Sequence, residues 1–97
     1  MKGKKYKYQL VVVLNPKVEE KEKVFSKISA WLEGHKVELE KKDHFGLKDL
    51  IYEIEDNKKG DFWIMDLISE GALKLNELNV LLNRENNIIR YLILKKE

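Results

Sequence analysis

A β-hairpin is predicted by two pieces of sequence, FGLKDLIYEI at residues 45–54 and GDF at residues 60–62. Large side chains recur at alternate positions in the second half of the first piece, at Leu50, Tyr52 and Ile54. This alternation is typical of a strand with one face toward a core. The polar run DNKKG at residues 56–60 predicts the turn, and the second strand then extends from residue 62 to residue 68.

The leading strand of this hairpin begins earlier, at residues 37–40, where VELE alternates as an edge strand does. Residues 43–46 interrupt that alternation, which predicts a bend or a β-bulge. An apolar strand at residues 8–14 lies nearer the start of the chain and is stopped by Asn15-Pro16. A helix is expected from about Val18 to Gly34. Its apolar stripe consists of Val24, Phe25, Ile28, Trp31 and Leu32.

Two further elements complete the pattern. A second helix carries four leucines at helical spacing: Leu75, Leu78, Leu81 and Leu82. The last strand covers residues 88–94. The order βαββαβ predicts an α+β, ferredoxin-like split βαβ fold with an antiparallel sheet in the order four, one, three, two. Both helices are expected on one face of that sheet, and residues 1–97 are expected to form a single domain.

One face of the sheet is predicted to carry apolar side chains without a helix above them. Residues 63, 65 and 67 (Trp, Met and Leu) form an apolar set that should face the helices. Phe62 and Ile64 then point the other way, beside Val11 and Val13 of the first strand. Monomers rarely leave such a patch in water, so we predict a protein partner at this face. The alternative is that these are ordinary β-forming residues, half shielded by Tyr52 and Tyr91.

Basic residues gather at the two ends of the chain. The formal net charge is only +2, with 19 lysines and arginines against 17 acidic residues. The predicted topology makes the first and last strands neighbours, which brings together Lys2, Lys4, Lys5, Lys7, Lys95 and Lys96, with Arg90 farther along and Tyr6 and Tyr8 among them. Such a cluster is able to neutralise several phosphates of a nucleic acid. The alternative is that these lysines are simply solvated.

A reactive site is not indicated by the sequence. The absence of cysteine excludes a disulfide scaffold and a thiol nucleophile. His35 and His44 have no carboxylate cluster at metal-ligand spacing, so neither a metal nor another cofactor is expected. The glycines form no phosphate loop, no small-molecule substrate is expected, and no arginine occurs before Arg84 to make an acylphosphatase cradle. KGDFWI at residues 59–64 lacks the second glycine or alanine of the RNA recognition motif.

Three motifs resemble the small-subunit ribosomal protein six family of bacteria. They are YQL leading to LNP at residues 8–16, the 45–62 hairpin, and IIRYLILKK at residues 88–96. The resemblance covers residues 6–96 and implies the ferredoxin-like fold and no enzymatic activity. It also implies pairing with ribosomal protein eighteen of the small subunit, and joint binding of 16S rRNA in the platform during subunit assembly.

The resemblance also assigns individual residues. It implies that Lys48 and Tyr52 lie near the partner or the RNA, that Arg90 and Lys95 lie near the RNA, and that Tyr8 is the aromatic at the head of the first strand. With the resemblance, RNA contact is also expected for the basic cluster at the termini and for Tyr8. Lys48 stands where the family usually has arginine.

The apolar run after the basic start covers only residues 10–14, too short for a secretory signal or a membrane span, so a cytoplasmic ribosomal location is expected. The alternative function is a stand-alone regulatory or ligand-sensing module that forms a homodimer through the same apolar face.

Overall fold

Six elements succeed one another in the computed structural model, which describes residues 5–54, 57–71 and 73–96. They are β1 (Tyr6–Leu14), α1 (Lys21–Gly34), β2 (Val37–Ile54), β3 (Asn57–Ser69), α2 (Leu75–Arg84) and β4 (Ile88–Lys96). The strands form one antiparallel sheet in the order β2-β3-β1-β4. The predicted fold class and strand order are therefore confirmed.

A single core lies between one face of the sheet and the two helices. In β1 and β3 every second side chain enters it, because neighbouring residues of a strand point to opposite faces. The buried members from the strands are Leu10, Val12, Leu14, Met65 and Leu67, and those from the helices are Val24, Phe25, Ile28, Leu32, Leu78 and Leu82. Trp63 packs against this core as predicted and is partly buried.

Helix α1 is shorter at its start than the sequence predicts. It begins at Lys21 rather than near Val18, and Glu20 makes no side-chain capping bond there. The helix ends at Gly34, as expected, but the residue in the left-handed region is Lys36, with φ 58°. The N–H of His35 donates hydrogen bonds to the carbonyls of Trp31 and Leu32, and these bonds close the last turn.

Strand β2 continues through the predicted break and is 18 residues long. The bulge expected at residues 43–46 is present as a shift of register between His44 and Gly46, and Gly46 adopts φ +83°. Such a φ strains any side chain with a Cβ, which explains glycine at this position. Two further register shifts interrupt the same ladder, between Leu39 and Lys41 and between Asp49 and Ile54.

The β2–β3 hairpin projects beyond the rest of the sheet. Strand β1 pairs with β3 only from Asp61 to Ser69, so Asn57–Gly60 has β2 alone as a neighbour. We call residues 47–54 of β2 together with Asn57–Gly60 the ribbon. Its strand begins at Asn57, where the sequence predicted a turn over residues 56–60. The ribbon contributes to the elongated dimensions of the molecule, 50 × 24 × 21 Å.

Within the described residues, neither α1 nor α2 has the length and apolar character that a helix needs to span a bilayer.

Candidate functional site: the open face of the sheet

The face of the sheet opposite the helices, which we call the open face, has an apolar centre. Register places Val11 between Ile64 of β3 and Leu92 of β4. Directly opposite residues of paired strands point to the same side, so these three side chains form a row across the sheet. The apolar centre consists of Val11, Val13, Phe62, Ile64, Leu92 and Leu94, and Ile68 lies on the same face opposite Lys7. The structure thus brings together four of the five residues predicted to contact a partner.

Strand β4 supplies two apolar residues that sequence reasoning did not select. Leu92 is 53% exposed and Leu94 is 43% exposed. Their side chains are on the same face of the sheet as that of Arg90, which pairs with Val13 on the open face. That alternation was visible in the sequence, but its direction became fixed only once the register between β1 and β4 was known.

One of the predicted partner residues, Val13, is buried. Val13 is only 5% exposed, because Gly60 brings the ribbon backbone directly over its Cγ1 atom. The prediction that Val13 meets a partner is therefore corrected: it supports the open face from below. The side chain of Tyr52 is not among those that the structure describes.

Cations stand at both ends of the apolar centre. At one end Lys7 and Lys96 are directly opposite each other, and Lys96 Nζ lies 3.5 Å from Asp66 Oδ1. At the other end Arg90 pairs with Val13. Arg90 and Lys96 are six residues apart on one strand, which corresponds to about 20 Å. The two groups of cations therefore lie on opposite sides of the apolar centre.

The remaining predicted cations are distributed more widely. Lys48 pairs with Gly60 in the ribbon and belongs to the open face. Lys95 has the opposite parity, and its Nζ lies 5.3 Å from the centre of the Tyr6 ring, on the helix side. Lys5 is exposed just before β1. Lys2 and Lys4 lie outside the described residues.

Tyr8 has a structural role that differs from the predicted one. Its side chain is 6% exposed and belongs to the core. The phenol oxygen accepts a hydrogen bond from the Leu73 N–H at 3.1 Å, which ties β1 to the segment before α2. The prediction that Tyr8 contacts RNA is therefore corrected, since a buried ring offers no surface for a base.

A buried carboxylate at the distal end of the core was not predicted. Asp61 is 1% exposed, and each of its oxygens is bonded. Oδ1 lies 2.5 Å from His44 Nε2, while Oδ2 accepts from Trp63 Nε1 at 3.1 Å and from Lys21 Nζ at 2.7 Å. We call these four residues the Asp61 junction. One signal for it was present: Asp61 is the single polar residue in the otherwise apolar series with Trp63, Met65 and Leu67.

The junction also fixes the histidine ring. His44 stacks on Trp63 with ring centres 4.0 Å apart and planes 13° from parallel. From the sequence, His44 was considered as a metal ligand, and no carboxylate cluster was found to accompany it. The structure instead places it across the β2 bulge, bonded to a buried carboxylate.

Two carboxyl groups make the stability of the fold dependent on pH. Burial alone would raise the pKa of Asp61, but the bonds from Lys21, His44 and Trp63 outweigh it and hold that pKa below its ordinary value. Burial likewise opposes ionisation of Glu85, while the bonds from Lys27 and Asn87 lower its pKa. The folded state therefore binds fewer protons than the unfolded chain in acid, and its stability rises with pH there.

We expect the free energy of unfolding to change little above about pH 5 and to decrease as the pH falls below about 4. Denaturant titrations at several pH values measure it. Asp61→Asn and Glu85→Gln should each make this decrease shallower. An unchanged pH profile in both variants would contradict the assignment.

Comparisons with known proteins agree with one another. The family model for Ribosomal protein S6 matches residues 7–95 of the chain. Small ribosomal subunit protein bS6 of Shouchella clausii is 31% identical over 93 residues, which cover 94% of this chain and 97% of that protein. The bS6 protein of Fusobacterium nucleatum is 28% identical over 93 residues, covering 94% and 98%.

Solved structures that share the fold include the following two. The crystal structure of 30S ribosomal protein S6 from Thermotoga maritima superposes with a TM-score of 0.83 at 23% identity, covering 96% of this chain and 89% of that one. The P2 domain of the chemotaxis kinase CheA from Thermotoga maritima, solved with the response regulator CheY, gives 0.64 at 20% identity, covering 96% and 100%. At these identities the likeness establishes the fold alone.

Proposed function

The chain belongs to the ribosomal protein S6 family of the small ribosomal subunit, and from this we propose that it is a structural protein that binds 16S rRNA in the platform together with ribosomal protein eighteen during assembly. The family predicted from the sequence is thereby confirmed. In this proposal residues 1–97 act as one domain in cytoplasmic ribosomes, and no catalytic role is assigned. The open face of the sheet is the observation that carries the proposal.

The partner protein would occupy the apolar centre of the open face. Val11, Ile64 and Leu92 form a contiguous row that the helices do not cover. Burying such a row against a second protein removes apolar surface from water, which is the main driving force of association. The exposed Leu92 and Leu94 extend the surface to the free edge of the sheet, so the partner is expected to reach β4.

The RNA would contact the cations around that centre. Lys7 and Lys96 face each other directly, and like charges at such positions repel. Asp66 relieves this repulsion only in part, and a phosphate between the two lysines would relieve it further. Arg90 and Lys48 offer positive charge at the distal end of the same face. Charge and apolar surface therefore lie on one side of the molecule, where RNA and partner protein would bind next to each other.

The proposal is tested by binding to a fragment of the 16S rRNA platform, with and without purified ribosomal protein eighteen, at two salt concentrations. We expect tight binding only in the presence of the partner, with an affinity that falls as salt rises. Binding to neither partner nor RNA, with a stable dimer by light scattering, would instead favour the homodimeric regulatory module.

Lys7→Ala should weaken RNA binding and reduce the magnitude of the slope of log affinity against log salt by about 1, because one phosphate contact is lost. Lys74→Ala is the matched control, since Lys74 is exposed on the helix side before α2. Equal salt slopes for the two variants would place the RNA elsewhere.

A further inference from the structure

The Asp61 junction connects three elements at the base of the ribbon. Lys21 is the first residue of α1, His44 belongs to β2, and Trp63 belongs to β3 with Asp61 itself. All three donors converge on one carboxylate that solvent hardly reaches. A buried carboxylate with both oxygens bonded is held in one position, because any displacement leaves a donor or the charge unsatisfied.

The bond from His44 to Asp61 crosses the bulge diagonally. In the ladder, His44 is opposite Trp63 and Gly46 is opposite Phe62, while Asp61 is opposite Leu47. The hydrogen bond therefore joins His44, which precedes the bulge in β2, to Asp61, whose partner in the ladder follows the bulge. A bulge adds a residue and interrupts the ladder, so the backbone alone constrains the next part of the strand less tightly there.

The part of β2 beyond the bulge contributes to the open face. Gly46 pairs with Phe62, and Lys48 pairs with Gly60. This part of the strand therefore borders the apolar centre of the open face on the β2 side. The position of this border depends on the conformation of the bulge between His44 and Gly46.

We propose that Asp61 is a positioning residue, which acts through His44 to hold the bulge and thereby sets the ribbon against the apolar centre of the open face. The inference rests on the proposed function, in which that face receives the partner protein. Asp61 and His44 lie on the helix side of the sheet, opposite the face that is assigned to the partner. They determine the shape that the partner meets.

The first test measures backbone amide hydrogen exchange in the full chain. His44→Leu removes the donor, and we expect exchange at residues 46–50 to become about tenfold faster, while amides of β1 and β4 keep their rates. His44→Gln restores an N–H donor and should return the rates of residues 46–50 toward those of the wild type. Lys21→Met removes the tie to α1 alone and should leave those rates within about twofold.

The second test measures affinity for ribosomal protein eighteen. His44→Leu should bind about tenfold more weakly and His44→Gln nearly as well as the wild type. Equal behaviour of the two variants, or faster exchange in every strand alike, would overturn the proposal by showing only a loss of global stability. Faster local exchange with unchanged affinity would overturn it too, since the ribbon would then not shape the partner surface.

Binding of ribosomal protein eighteen by the wild-type protein distinguishes the two proposals. If the wild type binds the partner but His44→Leu binds equally well, the positioning role fails and the proposed function stands. If the wild type does not bind the partner, the proposed function fails, and the positioning role on the partner surface fails with it.

Discussion

Ile64→Asp should weaken binding of the partner protein by about 100-fold or more. Ile64 lies in the middle of the open face, with Val11 on one side and Asp43 on the other. A carboxylate there would be taken out of water on complex formation, and the cost of burying an unpaired charge exceeds the gain from the surrounding contacts. Titration of labelled ribosomal protein eighteen by each variant measures the effect.

Val80→Asp provides the matched control for this substitution. Val80 is 49% exposed on α2, on the other side of the sheet. The substitution introduces the same charge at another exposed apolar site, and we expect the affinity for the partner to stay within about threefold of that of the wild type. If Ile64→Asp binds as well as Val80→Asp, the partner does not use the open face.

Gly60→Ala should reduce the free energy of unfolding by about 2 kcal/mol. A Cβ at this position would overlap Val13 Cγ1 and approach Leu50 Cδ2 to 3.4 Å and Phe62 Cε1 to 3.5 Å. The valine side chain is stiff and buried, so it has no open space into which it can move. The strand must shift instead, which disturbs the ladder where the ribbon leaves the sheet. Urea denaturation measures the loss.

Gly34→Ala is the control for glycine replacement itself. Gly34 is the last residue of α1 and has nothing within 4 Å of an added Cβ. Alanine is the better helix former, so the variant should be as stable as the wild type or more stable by up to about 1 kcal/mol. A loss in Gly60→Ala no larger than in Gly34→Ala would show that the contact with Val13 is unimportant.

The alternation of apolar residues was sufficient to predict most of the fold. Met65 and Leu67 point into the core, and Phe62 and Ile64 point away from it, as their spacing indicated. Period-two patterns carry this information because each strand has only two faces. The same logic located the open face before any register was known.

Side-chain partners distant in sequence could not be predicted in this way. Tyr8 is buried because its hydroxyl finds the Leu73 N–H, 65 residues later. Asp61 is tolerated in the core because Lys21 and His44 reach it from two other elements. Neither pairing has a local signature. Tyr8 was therefore assigned to an RNA contact, and Asp61, which lies between the predicted turn and the predicted strand, was assigned no role.

The three register shifts in β2 have a consequence for solubility. An edge strand of 18 residues exposes a long row of backbone N–H and C=O groups, on which another chain could add a strand. The shifts at Leu39/Lys41, His44/Gly46 and Asp49/Ile54 divide that row into short runs that differ in direction. A straight incoming strand matches only one run of β2 at a time, so this edge of the sheet is a poorer template for strand addition than an uninterrupted strand of the same length.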